Sequence, residues 1–315
     1  MGVSMFKHFR RSFLLAVFSI LGANLLYATN SPLKVVTTQA MYADIVRQIG
    51  KDKVDVKFVA PPKFNVHFIQ PKPSDVRNVA HADLVVYTGL DLEEWWGPLL
   101  EAAGKPDFFP GRERSVDMSR GIKLLNVPDH PLSRAEGDIH LFGNPHIALS
   151  PENVKIMAQT VLEKLKETDP TNAPYYEDNE KTFISQMDQK IAEWRRLCAG
   201  CKGQEIISYH KDIEYFADFL GIKVEQFLEP KPGIPPTPKH LEFLQEYVKS
   251  HNIKAIVMPT YFPHDAAEDL TKRIGGRVVT ICQNLGEIPE TETVFSFFDY
   301  NFKQISEACL PAGRR

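Results

Sequence analysis

The sequence predicts an α/β protein: two similar α/β lobes with mostly parallel sheets, joined by a long rigid helix. Two observations carry that expectation. Strand-like and helix-like runs alternate through both halves of the 315-residue chain, the order that produces a parallel sheet covered by helices. Between the halves, residues 151–201 read as helix with no strand among them. The expected organisation is a first lobe over 29–150, connecting helices over 151–201 and a second lobe over 202–315, behind a segment 1–28 of different character.

That leading segment starts with the basic stretch MGVSMFKHFRR and continues as the apolar run SFLLAVFSILGANLLYA. It reads as a secretory signal peptide cut after Ala28; the 17 residues from 12 to 28 are short for a membrane span. No cysteine stands at the cut to take a lipid. Losing the segment removes Lys7, Arg10 and Arg11 and no acid, so 34 basic residues face 40 acidic ones, a net charge of −6. Without a basic excess there is no argument for nucleic acid as a partner. Hydrophobic residues make up 43% of the chain, enough for one large or two medium cores.

In the first half, LKVVTT (33–38) is a β-branched strand signal. MYADIVRQIG (41–50) has helical spacing and a closing glycine. VDVKFVA (54–60) and ADLVVYTG (82–89) are further strands, and LDLEEWWGPLLEAAG (90–104) is a helix. The second half repeats the order: strands at QEIISYH (204–210), IKVEQFL (222–228), IKAIVMP (253–259) and RVVTIC (277–282) alternate with helices at 212–221, 238–252 and 265–276, and a last helix is expected over 293–310. In the middle, Ser150 is a helix-capping candidate ahead of Pro151 at the first helical position. Further on, Tyr176, Phe183, Met187, Ile191, Trp194 and Cys198 recur at spacings of seven, four, four, three and four, an apolar stripe along one helix. A continuous helix between two lobes is a stiff connector, so little relative motion is expected.

Four cysteines, Cys198, Cys201, Cys282 and Cys309, permit three pairings in an exported protein. The C-x-x-C at 198–201 reads as a local disulfide by default, with a redox pair or half a zinc site as alternatives.

Ligands of α/β lobes sit at the carboxyl ends of the strands. Polar residues in such places are His67, beyond VDVKFVA; His210, directly after EIISY; and His264 with Asp265, beyond KAIVMP. His146 stands at the entrance to the connecting helices. Converging on one interlobe cleft, three neutral imidazoles would suit zinc, with a carboxylate, a fourth histidine or water completing the set. His8, His81, His240 and His251 lie in the signal or on helices and are set aside. His140, six residues before His146, is a candidate accessory ligand or neighbour of the site.

These stretches resemble a known family. VHFIQPKPSDVRNVAHADLVVYTGLDLEEW, GNPHIALSPENV and SYHKDIEYFADFLGI, the last followed by EPKPGIPPTPKHL, are in that order similar to the three ligand segments of the zinc and manganese substrate-binding proteins of bacterial ABC importers, a resemblance over nearly all of the mature chain. The resemblance implies a metal held in the interlobe cleft by His67, His146 and His210. It implies a transported ion, zinc or else manganese, delivered to a permease in the inner membrane by a periplasmic, monomeric protein that is not an enzyme. It also favours a Cys282–Cys309 bridge, leaving Cys198 with Cys201. The chain departs from the family where a carboxylate usually follows the strand KAIVM: Pro259 stands there, and His264 and Asp265 become the candidates for the fourth position. The loop over 124–145 has only His130 and His140 where many zinc-type members are histidine-rich. Two other classes are compatible with three histidines. A zinc hydrolase has against it the absence of H-E-x-x-H and a Glu214 expected to face solvent or cap a turn. An adhesin or free metallochaperone would share the fold and differ in its partner.

Overall fold

The computed structural model describes residues 31–129, 140–231 and 233–309. The expected signal segment, His130 and residue 310 at the expected end of the last helix lie outside these residues. The first lobe contains β1 (Leu33–Thr37), α1 (Ala40–Gly50), β2 (Val54–Phe58), α2 (Pro73–Ala80), β3 (Leu84–Tyr87), α3 (Trp96–Ala102) and β4 (Ser115–Asp117). Its strands lie in the order β2-β1-β3-β4, every pair parallel. The central strands are apolar on both faces: all four residues of β3 are buried, as are Val35, Val36 and Thr37 of β1. Strands covered by helices on both sides require this continuous apolar reading. β4 is a three-residue edge strand, too short and too polar for its sequence to announce it.

The second lobe has β5 (Glu205–Ser208), α6 (Glu214–Leu220), β6 (Lys223–Phe227), α7 (Pro238–Ser250), β7 (Ala255–Pro259), α8 (Asp265–Ile274), β8 (Arg277–Ile281) and α9 (Val294–Ala308). Its strand order is β6-β5-β7-β8, again parallel throughout. The two lobes thus share one strand order, and each turns its carboxyl strand ends to loops that carry the polar residues discussed below. Helices α6 and α8 end on Gly221 and Gly275 at φ of 67° and 63°, the left-handed cap that a Cβ disfavours.

Between the lobes run α4 (Pro151–Thr168) and α5 (Ala173–Leu197). The Ser150 side chain accepts from the Asn153 amide with Pro151 at the first turn, so α4 begins where its sequence says it should. The 25 residues of α5 extend over about 37 Å at 1.5 Å per residue. It buries Tyr176, Phe183, Met187, Ile191 and Trp194 along one face and packs on α4, α1 and α9. Polar bonds fix both of its ends. Tyr175 Oη donates to Asp52 (2.8 Å) and Asn179 Nδ2 to the Ile49 carbonyl (2.9 Å) at the first lobe. Trp194 Nε1 donates to Asp299 (2.8 Å) on α9, where the indole also stacks on Phe302 at 5.0 Å. The lobes meet directly as well: the buried Asp44 carboxylate of α1 accepts from the Val294 amide, the first of α9, at 2.9 Å.

The cysteine pairing differs from both expected bridges. Cys201 is joined to Cys309, while Cys198 and Cys282 are free and buried. The chain leaves α5 in a single 3₁₀ turn that sets Cys201 against the last turn of α9, with 5.1 Å between the bridged Cα atoms. Cys198, one turn earlier, points its thiol at the Phe302 carbonyl instead. Cys282 directly follows β8, and its backbone exchanges two hydrogen bonds with the Asn301 side chain in the middle of α9, away from Cys309.

Candidate metal centre

His67 follows β2 in a short 3₁₀ turn, Val66–Phe68. Asn65 accepts from the His67 amide at 3.0 Å, and Trp95 Nε1 donates to the Val66 carbonyl at 2.7 Å. Pro73 then opens α2, and the Lys72 amide donates to Asp75 at 2.7 Å. The imidazole is thereby presented on a loop with little freedom. His146 is held in the same way: Asn144, two residues earlier, accepts from the His146 amide at 2.9 Å. The carbonyl of Asn144 accepts from Tyr215 of α6 at 3.0 Å, tying this turn to the second lobe. An Asn-x-His at both places was the signal in the sequence for this shared anchoring, and it is easy to pass over.

His210 leaves the carboxyl end of β5. Its Nδ1–H donates to Glu229, just beyond β6, at 2.7 Å. A carboxylate on one ring nitrogen fixes the tautomer and frees Nε2 as a ligand. Glu229 did not emerge from the sequence because it lies 19 residues away, past the end of the neighbouring strand.

The structure brings His67, His146 and His210 together, one nitrogen of each lying within 4.8 Å of the others. Their ring centroids are 5.3, 5.9 and 5.7 Å apart. Nε2 of His67 and of His146 are buried with no hydrogen-bond partner. Two orphaned acceptors beside each other are costly in a folded protein, and a shared cation is the partner that relieves both. Burial, with His140 and His210 nearby, pushes His67 down to about 3. Burial and the surrounding histidines also hold His146 well below its ordinary value. For His210 burial acts downward too, but the bond to Glu229 and the charges of Asp212, Glu229 and Glu214 outweigh it and raise the group. Two of the three imidazoles are therefore neutral and ready to ligate, and the third holds its proton more firmly.

His140 stacks on His67 at 5.0 Å and stands 6.3 Å from His146, beside the group rather than in it. With Phe68, Asp91, Glu94 and Gly233 it lines a cavity of about 260 Å3 that opens from His67. His264 and Asp265 are not drawn in. They form the cap and first residue of α8, because the chain after β7 is held elsewhere. The Thr260 amide donates to Glu287 (3.1 Å), and Tyr261 Oη donates to Gln283 (2.6 Å). Phe262 stacks on Tyr209 at 4.2 Å, next to His210. Phe262 thus stands beside His210, and Gln283 lines a small cavity with His146.

Glu214 departs from the solvent-facing or capping role expected of it: both of its oxygens are buried and unpartnered. The first turn of α6 faces the Asn144 turn, and this encloses the side chain. Burial pushes Glu214 up to about 6 and Asp212 up to about 7.

Comparison with known proteins agrees with this geometry. The family model described as zinc-uptake complex component A, periplasmic, matches residues 35–308. The high-affinity zinc uptake system protein ZnuA of Bacillus subtilis is 27% identical over 248 residues, 78% of this chain and 76% of that protein. The manganese ABC transporter substrate-binding lipoprotein PsaA of Streptococcus mitis is 26% identical over 251 residues, 77% of this chain and 75% of that one. A ZnuA crystal structure superposes with a TM-score of 0.74 at 23% identity, covering 89% of this chain and all of the other. The laminin-binding protein of Streptococcus agalactiae, described as an adhesin with metal-transporting activity, shares the fold at a TM-score of 0.72 and 20% identity. With a family match that runs from β1 into the last turn of α9, the chain belongs to the periplasmic zinc-uptake complex component A family.

Proposed function

We propose that this chain captures a divalent transition-metal ion, zinc foremost, outside the inner membrane and delivers it to an ABC permease. One observation carries the reading: three imidazoles from three separate loops meet with two Nε2 atoms buried and unpartnered. Three nitrogen donors suit zinc better than manganese, which prefers oxygen. Named relatives include both zinc-uptake and manganese ABC transporter proteins, and it is the donor set of this chain that favours zinc.

The role is binding and release, without chemistry on a substrate. Glu229, the carboxylate nearest a ligand, is bonded to the back of His210 and so orients it; a general base would have to stand on the open side of the metal. Substrate-binding components of ABC importers work with a membrane permease and an ATPase, and delivery to such a permease by a periplasmic monomer completes the proposal. The test is a pair of competition titrations on the metal-stripped chain. Zinc is expected to bind more tightly than manganese, and a preference for manganese overturns the choice of metal.

A further inference from the structure

Asp212 and Glu214 have no part in the reading above, and their setting is unusual. Asp212 is fully buried; one oxygen accepts from Ser208 at 3.2 Å and the other has no partner. Neither oxygen of Glu214 has one. Both residues follow His210 within four positions, on the loop and first turn that lead into α6. Glu229 is bonded to Nδ1 of the same imidazole. Three carboxyl groups therefore lie close enough to one histidine to act on its charge, with three buried oxygens unsatisfied among them. Buried in this way, carboxyl groups hold their protons more firmly, and the charged form is favoured when a cation stands nearby to compensate it.

The ligands themselves supply no such compensation. Three neutral imidazoles give a bound ion its coordination and none of the opposite charge, and such a donor set accepts copper(I) as well as zinc(II). The selection between the two must come from charge outside the ligand set. The attraction between a fixed carboxylate and an ion grows in proportion to the ion's charge.

We infer that Asp212 and Glu214 form an anionic wall close to His210 that makes the three-histidine site favour a divalent ion over a monovalent one. The inference rests on the triad being the metal site. The wall acts through space: neither carboxylate belongs to the group of mutually close ligand atoms.

The test uses the metal-stripped chain with Asp212→Asn and Glu214→Gln, each an isostere that removes charge and keeps shape. Affinities for zinc(II) and, under anaerobic reducing conditions, copper(I) are read by competition with chromophoric chelators. Only the binding that His67→Ala abolishes is counted. Each variant is expected to lose zinc affinity on the order of tenfold or more and copper(I) affinity by only about the square root of that factor, since the Coulomb energy is halved for the single charge. Glu214→Gln leaves the bond from Ser208 to Asp212 in place, so it carries the test if Asp212→Asn does not fold. Equal losses for the two ions, or no loss for either, overturn the anionic wall. If His67→Ala binds zinc as tightly as the parent chain, the triad itself fails, a result distinct from the other two.

Discussion

Glu229 shows how much the candidate site depends on a residue outside its three histidines. Its bond to His210 Nδ1 aims Nε2 at the other two imidazoles and raises the proton affinity of the ring. Glu229→Gln is therefore expected to weaken zinc binding by roughly 10- to 100-fold, the usual cost of losing such a partner. The same substitution has a signed effect on pH dependence. With Glu229 present, His210 gains its proton at a higher pH than an ordinary histidine, so acid competes with zinc early. Without Glu229 that competition begins at lower pH, and the acid limb of an affinity–pH curve shifts downward. A limb that does not move on substitution contradicts the assignment. His67, already held down to about 3, contributes nothing to that limb.

The three histidines were legible as residues because each follows a strand or opens a helix, where the fold collects ligands. Their supports were only partly legible. Asn65 and Asn144 act locally and leave an Asn-x-His trace. Glu229 acts from just beyond β6, and no local pattern encodes a partner 19 residues along the chain. His264 and Asp265 were attractive from spacing alone, but Thr260 and Tyr261 bind the chain before it reaches them.

At the scale of elements, periodicity carried most of the information. The apolar stripe of α5 and the closing glycines of α6 and α8 gave their helices directly. β4 escaped because three residues cannot establish a period. The cysteine pairing escaped because it depends on where α5 ends against α9, a matter of tertiary register. A peptide map of the denatured, unreduced chain is expected to find Cys201 linked to Cys309 and free thiols at Cys198 and Cys282. Recovery of a Cys282–Cys309 peptide contradicts the register described. Breaking the bridge with Cys201→Ser is expected to lower unfolding stability by about 2–5 kcal/mol. The contact between α1 and the start of α9 has its own test. Asp44→Ala leaves the Val294 amide buried without a partner and is expected to cost about 1–3 kcal/mol in denaturant unfolding. Asp44→Asn keeps an acceptor there and should cost less; an equal loss would show that the hydrogen bond is not what matters.

At the scale of the whole molecule, the repeated strand order and the helix anchored in both lobes describe a frame that holds its loops still. α5 is bonded to Asp52 and Ile49 at one end and to Asp299 at the other. A wide hinge motion would have to break these bonds, together with the Asp44–Val294 contact. Small-angle scattering of the metal-stripped and zinc-loaded chain is accordingly expected to give the same radius of gyration within error, and a clear contraction on loading contradicts the rigid frame. Loading should instead appear as stability, by about 2.7 kcal/mol when free zinc is 100 times its dissociation constant.

The most direct test of the account is calorimetric titration of zinc into the metal-stripped chain beside His67→Ala, His146→Ala and His210→Ala. One tight site is expected in the parent chain, with each substitution weakening it by at least about tenfold, because the proposed site uses every imidazole as a direct ligand. Tight binding that survives all three substitutions would contradict the account, since the ion would then be held by residues other than the triad.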